Sequence, residues 1–89
     1  MTEIAFSPSF TRAFKKRIAK NKALEEKFWK KAEVFVKNPF DQSLKTHKLS
    51  GVLDEVWSFS VEYDCRILFY FLSQKRVVFI DIGSHAEVY

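Results

Sequence analysis

His47 and His85, the two histidines of this 89-residue chain, are its side chains best suited to moving protons at neutral pH, because an unperturbed imidazole titrates at about 6.5. His47 lies in LKTHKLSG (residues 44–51), with Lys45 and Lys48 close by, and His85 lies in IGSHAEVY (residues 82–89). The plainer alternative for each is a surface or hydrogen-bonded structural histidine. No third ligand stands at a telling spacing, so neither a metal nor a cofactor is expected. Arg66 opens RILFYFL (residues 66–72), the most apolar stretch of the chain. A guanidinium there can grip a phosphate through two parallel hydrogen bonds and keeps its charge while doing so. Its alternative is an ion pair with Glu62, Asp64 or Asp81. Tyr89, the last residue, is either a plug for the core or an aromatic that stacks a base or touches a phosphate. Asp64 and Glu62 form an acidic pair beside a turn, which turn chemistry explains. Cys65 reads as a packing residue rather than a nucleophile.

These candidates sit in an uneven field. The net charge is +4, but residues 1–48 carry twelve Lys or Arg against five Asp or Glu, a net of +7, while residues 49–89 carry three against six, a net of −3. The run Lys15, Lys16, Arg17, Lys20 and Lys22 would ordinarily be a solvated face, but with Lys27, Lys30, Lys31, Lys37, Lys45 and Lys48 it exceeds what solubility needs, and such a concentration suits a polyanion such as RNA. Several classes are excluded. One cysteine allows no intramolecular disulfide and no Cys-based zinc site. Two glycines leave no Walker A loop and no GxGxxG fingerprint. No apolar run approaches the roughly 20 residues of a membrane span, and the N-terminal segment lacks the layout of a signal peptide, so a cytoplasmic location is expected.

The elements that must position these residues can be read from the change of hydrophobic period. Glu3–Phe6 is a short edge-strand candidate. Ser7 and Pro8 have the form of a helix start, and Phe10, Phe14 and Ile18 then make one apolar stripe. Asn21 can cap a second helix with the stripe Leu24, Phe28, Ala32 and Phe35, which should stop at Asn38 before Pro39. So short a break between the helices implies an antiparallel hairpin over about 8–38. Beyond residue 49 the period falls from 3.6 to 2. Strands are expected at about 52–61, 66–72 and 76–82, the middle one buried on both faces, joined by turns at Tyr63-Asp64 and at residues 73–75. Residues 84–89 are left as a short tail. The expected architecture is a single α+β domain over residues 1–89: an N-terminal helical hairpin packed on a small, mainly antiparallel sheet. Ten of the fifteen aromatics are Phe, a dense way to fill a small core.

Three segments in order, LKTHKLSG, WSFSVEYDCRILFYF (residues 57–71) and VVFIDIGSHAEVY (residues 77–89), placed after a basic helical hairpin, resemble the RelE/ParE superfamily of toxins from type II toxin–antitoxin pairs. Within it the chain looks most like the RelE/YafQ branch. The resemblance implies a RelE-like fold and a ribosome-dependent mRNA endoribonuclease that inhibits translation. In such enzymes the message's own 2′-OH attacks the adjacent phosphate. It further implies roles for individual residues. His85 matches the C-terminal catalytic His or Arg and would be general acid or base. Arg66 matches the strand arginine that stabilises the phosphate in the transition state. Tyr89 matches the terminal aromatic that orients the base. His47 matches the histidine before the sheet, with a second proton-transfer or phosphate role, and Asp64 matches a YafQ-branch acid. Lys45 and Lys48 would hold RNA backbone. The implied partners are a cognate acidic antitoxin, the ribosome and mRNA.

The match has departures. Ser60 stands where the YafQ branch carries a further histidine, and Gln42 and Ser43 stand near the place of a YoeB-branch Glu. Two other activities on the same fold stay open: a ParE-type gyrase poison and a non-catalytic binding domain.

Overall fold

The computed structural model describes residues 1–49 and 55–88. Tyr89 and the first residues of the strand expected at about 52–61 therefore lie outside the described residues.

Each helix begins where its cap dictates. The Ser7 hydroxyl accepts from the Phe10 amide at 3.1 Å and Pro8 takes the first helical position, starting α1 (Pro8–Arg17). Asn21 Oδ1 accepts from the Leu24 amide at 3.2 Å and starts α2 (Lys22–Lys37), which ends at Asn38. Between α2 and the sheet, Asp41 accepts from the amide and the hydroxyl of Ser43 and caps a 3₁₀ turn, Gln42–Leu44. Those two hydrogen bonds hold the Asp41 carboxyl below its ordinary pKa. Lys45 then turns the chain in the left-handed region, with φ at 52°.

The strands are β1 (Glu3–Phe6), β2 (His47–Lys48), β3 (Trp57–Glu62), β4 (Cys65–Ser73) and β5 (Arg76–Gly83). They form one sheet in the order β1-β5-β4-β3-β2. β1 runs parallel to β5 and every other neighbouring pair is antiparallel. The α+β class and the mainly antiparallel sheet are as expected.

Phe28, Phe35, Phe59, Phe69 and Phe79 are all fully buried and hold the layers together. Phe35 of α2 meets Phe59 at 4.9 Å, Phe69 at 5.0 Å and Phe79 at 5.4 Å between ring centres. Each fully buried ring contributes about 1.5–3 kcal/mol of transfer free energy. Phe10 and Phe14 of α1 close on Phe28 from the other helix.

Three expectations need correcting. Beyond Arg66, the stretch 66–72 is not buried on both faces. Ile67 and Phe69 are buried on the helix side, whereas Leu68 and Tyr70 on the other side are only half-buried and Leu72 is exposed, because the helices cover one face. Residues 47–48, expected to lie before the sheet, add a short edge strand to β3. Residues 84–89 are not a plain tail: His85–Val88 form a helical turn, α3.

Candidate active site

The sheet register decides which side chains share a face, since directly paired residues point the same way. Ser60 on β3, Arg66 on β4 and Gly83 on β5 lie in one row. His47, Ser58, Leu68 and Asp81 lie in the neighbouring row. Both rows face away from the aromatic core. The face opposite α1 and α2 therefore carries two serines, an arginine and His47, and Ser58, Ser60 and Arg66 are all buried.

A β-bulge shapes the end of this face. The pairing of β3 with β4 slips between Ser60 and Glu62, and a bulge bends its strand and re-aims the residues beyond it. Here those residues are the turn carrying Tyr63 and Asp64. Arg66 Nε donates to the Tyr63 carbonyl at 3.0 Å, and its guanidinium carbon lies 5.8 Å from the centre of the Tyr63 ring. The same ring stacks on His85, with centres 4.8 Å apart and planes 13° from parallel.

His85 is held there by three devices. Gly83 lets α3 fold back on the strand, since a Cβ at that position would meet Val88 Cγ2 at 2.8 Å. Ser84 and Glu87 form a capping box: the Glu87 amide donates to the Ser84 hydroxyl at 3.2 Å, and the Ser84 amide donates to Glu87 Oε1 at 2.8 Å. Arg17 of α1 then grips the Glu87 carboxylate with two hydrogen bonds, at 2.7 and 3.0 Å. The Arg17 guanidinium, helped by the Ser84 donors, lowers the Glu87 carboxyl to about 2. The same pairing raises the pKa of Arg17.

The other candidates are placed differently. His47 lies on the same face as Arg66 but two strands away, on the order of 10 Å across the sheet. Its Nδ1 is hydrogen-bonded to the Lys45 carbonyl at 2.9 Å. Lys45 and Lys48 are exposed, and Lys48 pairs with Trp57, so the register turns it toward the opposite face from His47. Asp64 is exposed in the β3–β4 turn. Lys15, Lys16 and Lys20 are exposed on α1 and just beyond it, in the layer across the sheet from Arg66. Tyr89 lies outside the described residues. Glu62 pairs with Lys27 at 3.1 Å. Cys65 is buried, and desolvation pushes its thiol up to about 11, which leaves it an inert packing residue.

Sequence reasoning placed Tyr63 in a turn, Gly83 at a strand end and Arg17 in the basic run, but missed their part in the site, and it missed the Ser84–Glu87 box. The box has a readable signal, Ser-x-x-Glu. Tyr63 has a weaker one, an aromatic in a tight turn where Gly, Asn or Asp is usual.

The arrangement can bind an anion at Arg66 and move a proton at His85, the two groups sharing the Tyr63 ring. Its fold is similar to that of YafQ from E. coli, with a TM-score of 0.78, 21% sequence identity, and 100% of this chain and 99% of that chain covered. It is also similar to a metal-bound toxin from Helicobacter pylori, with a TM-score of 0.77, 21% identity and 100% of each chain covered. The E. coli DinJ-YafQ complex contains a chain similar at a TM-score of 0.77 and 21% identity, covering 100% of this chain and 99% of that one. A search among curated proteins finds no relative of this chain. These likenesses set the fold class, that of the RelE- and YafQ-type toxins. The model of the family described as the bacterial toxin of type II toxin-antitoxin system, YafQ, matches residues 2–89, and the chain belongs to that family. It is thus a toxin of a type II toxin–antitoxin system.

Proposed function

We propose that the chain is a ribosome-dependent mRNA endoribonuclease that stops translation by cutting messages as they are read. The observation that carries this is the joining of Arg66 and His85 through Tyr63 on the side of the sheet that α1 and α2 leave uncovered. In the reaction the 2′-oxygen forms a bond to the adjacent phosphorus and the bond from phosphorus to the 5′-oxygen breaks. The 2′-OH proton passes to a base, and an acid protonates the departing 5′-oxygen. The products are a 2′,3′-cyclic phosphate, which can open to a 3′-phosphate, and a 5′-OH.

Arg66 binds the phosphate as its charge and crowding grow, with a guanidinium that cannot lose its own charge. His85 is the general acid or base. His47 supplies a second proton transfer or phosphate contact from across the same face. Lys45 and Lys48 hold RNA backbone, Asp64 assists at the turn, and Tyr89 orients the substrate base. The basic helical half, with Lys15, Lys16 and Lys20, is the grip on ribosomal RNA and on an acidic antitoxin, and steering by opposite charge speeds both encounters. A complex of DinJ with YafQ has been solved for the E. coli relative, which supports an antitoxin partner here. Among the described residues no helix is long and apolar enough to cross a membrane, consistent with action on ribosomes in the cytoplasm.

The test is primer extension on messages from cells in which the chain is induced. Cuts within translated frames, lost together with growth arrest in His85→Ala, are the expected result. Intact messages with DNA breaks point to a gyrase poison. Intact messages and intact DNA, with ribosomes or antitoxin still bound, point to a non-catalytic domain.

A further inference from the structure

Tyr63 has no part in the core. It is 68% exposed, in a two-residue turn that would fold more readily with Gly, Asn or Asp. Its side chain nevertheless meets both groups assigned to the chemistry. The ring stacks on the His85 imidazole at 4.8 Å and 13°, and the Arg66 guanidinium lies 5.8 Å from the same ring. Its backbone carbonyl accepts from Arg66 Nε at 3.0 Å. The β3 bulge between Ser60 and Glu62 is the local irregularity that delivers the turn to this place.

We infer that Tyr63 is a positioning residue that fixes the spacing between the proton-transfer imidazole and the phosphate-binding guanidinium. A histidine side chain has two rotatable bonds, and a short helical turn does little to restrict them. A parallel ring on one side removes much of that freedom before substrate arrives. Arg66 is anchored at its Nε to the same residue, so its guanidinium is held at a set distance from the ring and hence from the imidazole. The ring, not the phenol hydroxyl, does this work, because the contacts are to the ring face and to the backbone carbonyl. This inference rests on the proposed roles of His85 and Arg66.

The experiment compares wild type, Tyr63→Leu, Tyr63→Phe and His85→Ala by two readouts: single-turnover cleavage of a message on programmed ribosomes, and the imidazole Cε1–H resonance of His85, with His47 as the internal reference. Tyr63→Leu is expected to lose cleavage about tenfold or more. Its His85 resonance shifts downfield as the ring current is removed, while the His47 resonance stays in place. Tyr63→Phe is expected to rescue both. Cleavage by Tyr63→Leu at the wild-type rate, with the His85 resonance moved, reduces Tyr63 to surface packing and overturns the inference. An unmoved His85 resonance overturns it through the geometry. Wild-type cleavage by His85→Ala instead brings down the functional reading itself, and is recognised by that variant alone.

Discussion

His85 stands on a helical turn that is tied down from three directions: Gly83 admits the close approach of Val88, the Ser84–Glu87 box caps the turn, and Arg17 reaches across from α1 to hold Glu87. His47 shares the sheet face but stands on a two-residue edge strand, entered through a lysine at positive φ. Its side chain is exposed, and Nδ1 is hydrogen-bonded to the Lys45 carbonyl of the same loop. The first histidine stands on a turn held by contacts between distant parts of the chain and stacks on the Tyr63 ring that Arg66 also meets. The second stands in its own loop at the sheet edge. Chemistry that needs a proton delivered to a fixed point is better served by the first arrangement. A site that adapts to a bound nucleic acid can use the second. On the proposed reaction, the principal proton-transfer role would fall to His85 and an auxiliary one to His47.

The largest expected effect is at the Arg66 cluster. His85→Ala and Arg66→Gln should each lower single-turnover cleavage by about 10²-fold or more, with His85→Ala keeping a cooperative melt. A loss in His47→Ala as deep as in His85→Ala would erase the difference between the two histidines. Only about a tenfold fall is expected there, the low end of what a proton-transfer group contributes.

Loosening the tie comes next. Arg17→Met or Glu87→Gln should lower cleavage severalfold and speed amide exchange within α3 while leaving exchange in β4 unchanged. The same tie predicts a pH effect. The Glu87 carboxyl is lowered from 4.5 to about 2 in the folded chain. Its contribution is therefore complete above about 4.5 and is lost as the pH falls toward 2. Both partners are partly exposed, at 41% and 52% of the side-chain surface, so the loss should show as fraying of α3 in acid rather than as global unfolding. Uniform protection of α3 down to pH 2 would contradict it.

The smallest effect concerns the loop under His47. Lys45 has φ at 52°, a conformation costing about 1 kcal/mol for a side-chain-bearing residue and more for a β-branched one. Lys45→Gly should hold or slightly raise the denaturant midpoint, and Lys45→Val should lower it by an amount of about that size.

Much of this architecture is legible in the chain. Ser7-Pro8, Asn21 and Asn38-Pro39 mark the helix ends because caps act over three or four residues, within reach of a local pattern. The alternation of Trp57, Phe59 and Val61 marks β3, and Arg66 stands out against apolar neighbours. The candidates His85, Arg66 and His47 come from their chemistry and from the family resemblance. The features that escape a sequence reading are either too short to show a period or dependent on distant contacts. β2 has two residues, and two residues have no periodicity. α3 is one turn, and its capping box can be read only once the turn is suspected. The stack of Tyr63 on His85 depends on a bulge in β3 and on a glycine that lets α3 fold back. The lysines are legible as charge but not as position: Lys15, Lys16 and Lys20 lie in the layer across the sheet from Arg66, while Lys45 stands beside His47. The helical lysines are therefore better placed to hold a large partner than to touch a phosphate bound at Arg66.

His85, stacked on the Tyr63 ring that Arg66 also meets, is proposed to move a proton during RNA cleavage while His47 only assists. The direct measurement is the single-turnover rate of message cleavage on programmed ribosomes for wild type, His85→Ala and His47→Ala, with the new ends mapped chemically. The expected result is a 2′,3′-cyclic phosphate or 3′-phosphate and a 5′-OH from wild type, near-complete loss in His85→Ala, and slowed cutting at the same positions in His47→Ala. Undiminished cleavage by a folded His85→Ala protein, or loss confined to His47→Ala, would contradict it.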